Sequence, residues 1–289
     1  MKKDTKHIRA DIVNQSLNYI YKYIDTDIKL EELAKLNSVS KYHFHRIFKE
    51  ETGENLFDRI STIRLQKAAN LLITNTYSTI SEIANMCGYS SHTSFIKAFK
   101  KRFIYTPSQW RKGEYKNFTK DKLDLEENFH EIFKDIEPII KVVPTKICAY
   151  IRHKGYDGAA LSKLWQRLLA FSYQQNIKDS IQIGIYHDNT IIIPYEECNY
   201  IAALEVEPSF KPTNSISKFE VLESLCAVFH YEGKYGDICK LMTYIYQYWM
   251  PGSGYEAMTL PSYVIYHKNH YLEENDSFSL DFYVPIRVV

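Results

Sequence analysis

The feature that most constrains this chain is an internal duplication in its first hundred residues. LEELAKLNSVSKYHFHRIFK and ISEIANMCGYSSHTSFIKAFK superpose with an offset of 50, Leu33 on Ile83 and Ala34 on Ala84. Beyond the turn the offset becomes 51, pairing Phe44 with Phe95 and Phe48 with Phe99. Each copy reads as a short helix, a turn, and a second helix that opens after a serine. Thr79 and Glu82 fit a capping box, and Ser40 and Ser91 are suitable N-caps. Gly88 supplies a permissive backbone in the second turn, where the first copy has Asn37-Ser38. This is the helix–turn–helix pattern, whose second helix enters the major groove of DNA.

Apolar spacing assigns the faces of these second helices. In the first, Phe44, Ile47 and Phe48 point inward and leave Lys41, Tyr42, His45, Arg46 and Lys49 outward. In the second, Phe95, Ala98 and Phe99 go inward, leaving His92, Thr93, Ile96, Lys97 and Lys100 outward. Tyr42, His45 and Arg46, with His92, Thr93 and Lys97, are the candidate base-contacting residues. Arginine can grip a guanine edge with two hydrogen bonds, worth about 1–3 kcal/mol of discrimination. Lys41, Lys49, Lys100, Lys101 and Arg102 are candidate phosphate contacts, which add affinity without sequence information. Any one of these lysines alone reads as a solvated charge; the paired pattern carries the inference. A rigid helix over 55–74 would let the two units enter successive major grooves, about 34 Å apart.

Charge is divided in the same sense. The first 115 residues hold 19 Lys and Arg against 12 Asp and Glu, and the remainder 17 against 23. A basic half predicts a polyanionic partner, double-stranded DNA, that the overall net charge of +1 conceals.

Residues 5–112 read as almost entirely helical, with Ile8, Ile12, Leu17, Ile20 and Ile24 at helical spacing and Pro107 after the last long helix. After Pro138 the texture changes to short β-rich runs (KICAYIRH, IQIGIYHD, YIAALEVE, LCAVFHYEG, FSLDFYVPIRVV) around helical patterns near 158–175 and 236–249. CAYIRHKG and CAVFHYEG repeat at an offset of 78, each followed by a helix. The expected organisation is an all-α domain over 1–112, made of two helix–turn–helix units joined by a long helix. A charged, partly helical linker over 113–136 follows, then an α+β domain over 137–289 with a pseudo-twofold sheet and helices.

Residues 8–111 resemble the DNA-binding domain of the AraC/XylS regulators, through IKLEELA, SKYHFHRIFKEETG, RLQKAANLL, ISEIANMCGYSSHTSFIKAFKKRF and TPSQWR. One departure is Ile104, where that family usually has glycine. Residues 137–289 resemble the GyrI-like effector-binding domain, through IRHKGY, CAVFHYEGKYGDI, YWMPGSGYE and DFYVPI, in the domain order of Rob-like members. The resemblance implies a transcription regulator, in the first place an activator that engages RNA polymerase, with a small-molecule effector bound between the pseudo-repeats. It carries Tyr186, Trp249, Tyr266 and Tyr283 onto an aromatic pocket. Val264 stands where a cation-binding glutamate is usual. Valine removes that attraction, so the ligand is expected to be neutral or anionic unless Glu205 or Glu207 supplies a carboxylate. Two rivals stay open: a hydrolase attached to a DNA-binding module, and a pure protein-interaction module.

The second half holds 16 of the 24 tyrosines but neither a phosphate loop nor a nucleophile elbow, so no catalytic residue or cofactor is expected. Five cysteines without a CxxC pair predict reduced thiols and a cytoplasmic location. His267 and His270 form an HxxH, but it falls at a strand end or loop, and no metal site is expected there. Nothing approaches the length of a membrane span.

Overall fold

The computed structural model describes residues 2–118, 129–177, 180–189, 192–213 and 216–289. The first region is helical: α1 (Lys2–Lys22), α2 (Leu30–Leu36), α3 (Lys41–Thr52), α4 (Leu56–Thr74), α5 (Ile80–Met86) and α6 (His92–Phe103). Two buried clusters share α4. Its Leu56, Ile60 and Ile63 join Phe44, Ile47 and Phe48, whereas Leu65, Ala68 and Leu72 join Phe95 and Phe99. One helix thus serves both units by turning different stripes to each. Within α1, Ile12, Leu17 and Ile20 are buried but Ile8 is 61% exposed, because the first core does not reach its N-terminal turns.

The turns behave as their residues dictate. Gly88 has φ +76°, and a Cβ there would lie 2.4 Å from the Ile24 carbonyl oxygen and 2.7 Å from the Arg64 guanidinium. That guanidinium ties α4 to the preceding loop, donating to the Ile24 carbonyl at 3.1 Å and the Thr26 carbonyl at 2.5 Å. Ser38, the matching residue of the first copy, takes φ +54° without glycine's freedom. After α6 the chain turns at α7 (Pro107–Gln109), capped by Thr106, and buries Trp110, whose indole donates to the Ala69 carbonyl at 2.9 Å. A π-helical turn (Trp110–Glu114) leads into α8 (Tyr115–Phe118). Of the expected partly helical linker, α8 and α9 (Phe129–Phe133) are helical; residues 119–128 lie outside the described ones.

The second region is an antiparallel sheet with two long helical segments. Its strands are β1 (Ile139–Val143), β2 (Lys146–Lys154), β3 (Gln182–Tyr186), β4 (Asn199–Glu205), β5 (Ser217–Val221), β6 (Ser224–Lys234), β7 (Tyr255–Ala257), β8 (Ser262–Lys268) and β9 (Ser277–Val288). They run in the order β1-β6-β9-β8-β3-β4-β2-β5, with β7 paired to β9. The strands holding the repeated CAYIRHKG and CAVFHYEG are β2 and β6, each second from an end of that order. Helix α10 (Gly158–Gln174) follows β2. Helix α11 (Asp237–Tyr244) follows β6 and runs on as a π-helical segment, Ile245–Trp249.

Alternation along the strands separates two faces. The helix-covered face carries Ala149, Tyr200, Phe229, Val264 and Phe282, buried with Trp165 of α10 and Leu241 of α11. The opposite face carries Tyr150, Ile185, Ile201, Val228, Tyr263 and Tyr283. Helix α1 reaches this opposite face: Asn18 donates to the Tyr150 hydroxyl at 2.8 Å, and Tyr21 stacks on His187 at 4.0 Å.

Candidate nucleic-acid interface and ligand cavity

On α3 the Ser40 hydroxyl accepts from the His43 amide, Gly53 closes the helix in the left-handed region, and Phe44, Ile47 and Phe48 anchor the inner face. Lys41, Tyr42, His45, Arg46 and Lys49 are exposed, Tyr42 at 80%. On α6 the Ser91 hydroxyl accepts from the Ser94 amide, and Phe95, Phe99 and Phe103 face inward. His92, Thr93, Lys97, Lys100, Lys101 and Arg102 are exposed. Ile96 and Ala98, expected on opposite faces, are both half-buried at the helix flanks.

Three of these side chains have local partners. Arg46 lies 3.3 Å from the His43 ring nitrogen, so the two form one polar unit on α3. Lys41 pairs with Glu31 of α2. Arg102 leans back toward Thr62 of α4, 3.5 Å away, and partial burial holds its pKa below the ordinary arginine value. Helix α6 ends at Ile104, exposed at 73% with φ +70°. The residue that departs from the usual glycine therefore sits in the conformation glycine tolerates best.

Between β2, β3 and the starts of α10 and α11 lies a cavity of about 610 Å³. Tyr156, Tyr186, Tyr195, Tyr235, His270 and Tyr271 line it with Ile238 and Cys239. The size falls within the usual range for small-molecule sites. Burial pushes the hydroxyls of Tyr156, Tyr186 and Tyr271 upward, and the His270 imidazole down to about 4. These groups are neutral at pH 7. The lining acids, Asp157 and Glu196, are exposed at the mouth, and Asp157 is engaged as the N-cap of α10.

The expected pocket residues divide. Tyr186 lines the cavity. Tyr266 sits behind it, its hydroxyl 3.2 Å from that of Tyr186 and 3.3 Å from that of Tyr200. Val264 is fully buried beside Gly184 and outside the lining. Trp249 packs edge-on against Phe229, 5.0 Å between centroids, away from the cavity. Tyr283 is a correction: it lies on the opposite face of the sheet, stacked on Tyr263 at 4.8 Å, because strand alternation sets it apart from Phe282. Glu205 pairs with Lys146 at 2.7 Å, and exposed Glu207 does not line the cavity, so neither supplies a carboxylate there. HxxH does not assemble either, since His267 is exposed whereas His270 is buried at the cavity. Sequence reasoning passed over Tyr156, Tyr235 and Tyr271. The repeat held the signal for two of them: Tyr156 and Tyr235 follow the two matched strands, and the Tyr235 hydroxyl donates to the Tyr156 carbonyl at 3.3 Å.

The two regions are joined through buried polar groups that had no local signature. Glu256 of β7 is wholly buried and accepts from the Tyr77 amide at 3.0 Å, the Ser78 amide at 2.6 Å and Arg287 at 2.7 Å, with the Ser78 hydroxyl as a further donor. The side-chain amide of Asn75 donates to the Ala257 carbonyl and accepts from the Ala257 amide, at 3.0 Å each. Both contacts grip the loop between α4 and α5, the loop that leads into α5 and α6.

Helical units of this kind ahead of such a sheet define a two-part regulator architecture. Residues 136–287 match the family described as GyrI-like small molecule binding domain, and residues 33–113 match a helix-turn-helix domain family. The chain belongs to the GyrI-like family and carries an AraC-type helix–turn–helix domain ahead of that domain. Over 108 residues, 37% of this chain, it is 35% identical to the xylose operon regulatory protein of Escherichia coli strain K12; the match spans 27% of that protein's length. An uncharacterised HTH-type transcriptional regulator of Staphylococcus aureus is 33% identical over 124 residues, 43% of this chain and 16% of that protein. Among solved structures, the C-terminal domain of AraT, a response regulator from Geobacillus stearothermophilus, is 36% identical with a TM-score of 0.34, covering 35% of this chain and 84% of that one. EcmrR in a DNA complex is 14% identical with a TM-score of 0.44, covering 91% of this chain and 100% of that one. No described helix is long and apolar enough to cross a membrane.

Proposed function

We propose that this chain is a sequence-specific, double-stranded-DNA-binding transcription regulator that acts in the cytoplasm, in the activator role with RNA polymerase as partner that its resemblance implies. Its C-terminal domain takes a neutral aromatic effector in the tyrosine-lined cavity. The observation that carries the reading is the pair of serine-capped helices, α3 and α6, exposing basic and polar faces on either side of α4. Nineteen residues of α4 span about 28 Å, on the scale of one DNA turn. Tyr42, His45 and Arg46 read one groove segment and His92, Thr93 and Lys97 the next, with Lys49, Lys100 and Lys101 on phosphates. Lys41 and Arg102 contribute once they release Glu31 and the α4 surface. The two sheet halves act as a pseudo-twofold frame, with the effector at the mouths of both repeats. The grip of β7 on the α4–α5 loop gives an effector a route to α6, through different affinities for two arrangements of that loop.

Binding titrations test this directly. Arg46→Ala should weaken binding to a selected operator by about 1–3 kcal/mol while leaving random DNA little affected. Lys101→Ala should weaken both alike and lower the salt slope by about one. Equal effects of the two changes on specific and random DNA would overturn the assigned roles.

A further inference from the structure

On the sheet face opposite the aromatic cavity, three adjacent strands bring His230, His267 and Asp281 together. His230 of β6 and Asp281 of β9 are register partners, and the Nδ1 of His230 lies 2.9 Å from the Asp281 carboxylate. His267 of β8 reaches the other oxygen of that carboxylate through Nε2 at 3.2 Å. It does so because β8 slips register between Tyr266 and Lys268, leaving His267 as the unpaired residue of a bulge. Bulges of this kind re-aim a side chain. All three ligand-type atoms lie within 4.8 Å of one another, and both imidazoles are exposed.

We propose that this triad is a binding site for a divalent transition-metal ion, zinc in the first place. Zinc takes imidazole nitrogen and carboxylate oxygen at about 2.0–2.2 Å, which in a tetrahedron sets ligand atoms about 3.3–3.5 Å apart. The two contacts to Asp281 are already close to that spacing. The cation would sit between the two imidazoles and the carboxylate. A second carboxylate stands nearby: Glu232, which accepts from Ser279 at 3.2 Å, lies 4.0 Å from the far nitrogen of His230. Three ligands on hydrogen-bonded strands form a rigid, outward-facing site whose fourth position is open to water or to a donor from another molecule.

Isothermal titration of the untagged, chelator-treated full chain with zinc chloride tests the site. One ion should bind per chain, and His230→Ala and His267→Ala should each weaken binding at least tenfold. His45→Ala, on α3, should bind as the unaltered chain does. Both imidazoles are exposed, so their loss should leave the fold intact by circular dichroism. Asp281→Asn should also bind at least tenfold more weakly than the unaltered chain. No saturable binding below 1 mM, or undiminished binding by the two histidine variants, would overturn the proposal.

Discussion

Replacing Glu256 by alanine removes one carboxylate that receives four donors across the two regions of the chain. The Ser78 amide is buried and the Tyr77 amide half-buried, so both lose an ionic acceptor that water replaces poorly. Each such loss costs about 1–1.5 kcal/mol. Arg287 is 42% exposed and recovers most of its solvation, so little is assigned to it. The Ser78 hydroxyl can turn to another acceptor. The sum is about 2–3 kcal/mol, reaching the lower edge of the range for breaking a buried ionic network. That corresponds to a midpoint lower by about 4–12 °C, measurable by calorimetry or urea denaturation. The pH dependence sharpens the test. Burial raises the Glu256 pKa, but hydrogen bonds from Ser78 and Arg287 outweigh it and hold the carboxyl below its ordinary value of 4.5. A depressed carboxyl stabilises the fold fully above the unfolded pKa and loses that contribution as pH falls through the folded one. Stability of the unaltered chain should therefore drop more steeply below pH 4.5 than that of Glu256→Gln. A loss under 1 kcal/mol in Glu256→Ala, with parallel acid profiles, would refute the account.

Ile104→Gly should stabilise the chain by about 1 kcal/mol, since φ +70° strains a β-branched residue by more than glycine's added freedom costs; urea midpoints check the sign. Gly88→Ala should destabilise by more than about 2 kcal/mol, because its Cβ meets the Ile24 carbonyl and the Arg64 guanidinium, and thermal unfolding reads the loss. A chromogenic thiol reagent should titrate Cys239 promptly in the native chain. The four buried thiols should react only after denaturation; burial pushes those of Cys87 and Cys148 up to about 12.

The helical region was legible because each of its elements carries its own signal. Amphipathic spacing alone separates Phe44 and Phe48 from Tyr42 and Arg46, and the serine caps and Gly88 mark the turns. The sheet was only partly legible. Alternation says that Phe282 and Tyr283 face opposite ways, but not which of them meets the helices; only the register of β9 between β6 and β8 decides that. The side of the sheet that Tyr283 takes is therefore not legible in its own strand. Strand β7 has three residues, too few for any pattern, and Glu256 sits in it. Its partners Tyr77 and Ser78 lie about 180 residues earlier, a separation at which no local rule operates. The juxtaposition of His230, His267 and Asp281 is hidden for the same reason, since the three come from strands far apart in sequence.

The exchange of hydrogen bonds between Asn75 and Ala257, with Glu256 beside it, bears on how such proteins are recombined. A graft that joined this reading head to a foreign sensor between residues 113 and 136 would part the helical and sheet residues of one buried cluster and leave the α4–α5 loop without its clasp. Amide and hydroxyl groups evolved against one particular strand would face water or a mismatched surface. Such hybrids should bind DNA yet ignore their effectors until the recipient strand also carries the glutamate and its arginine. The unit of inheritance is then larger than either domain.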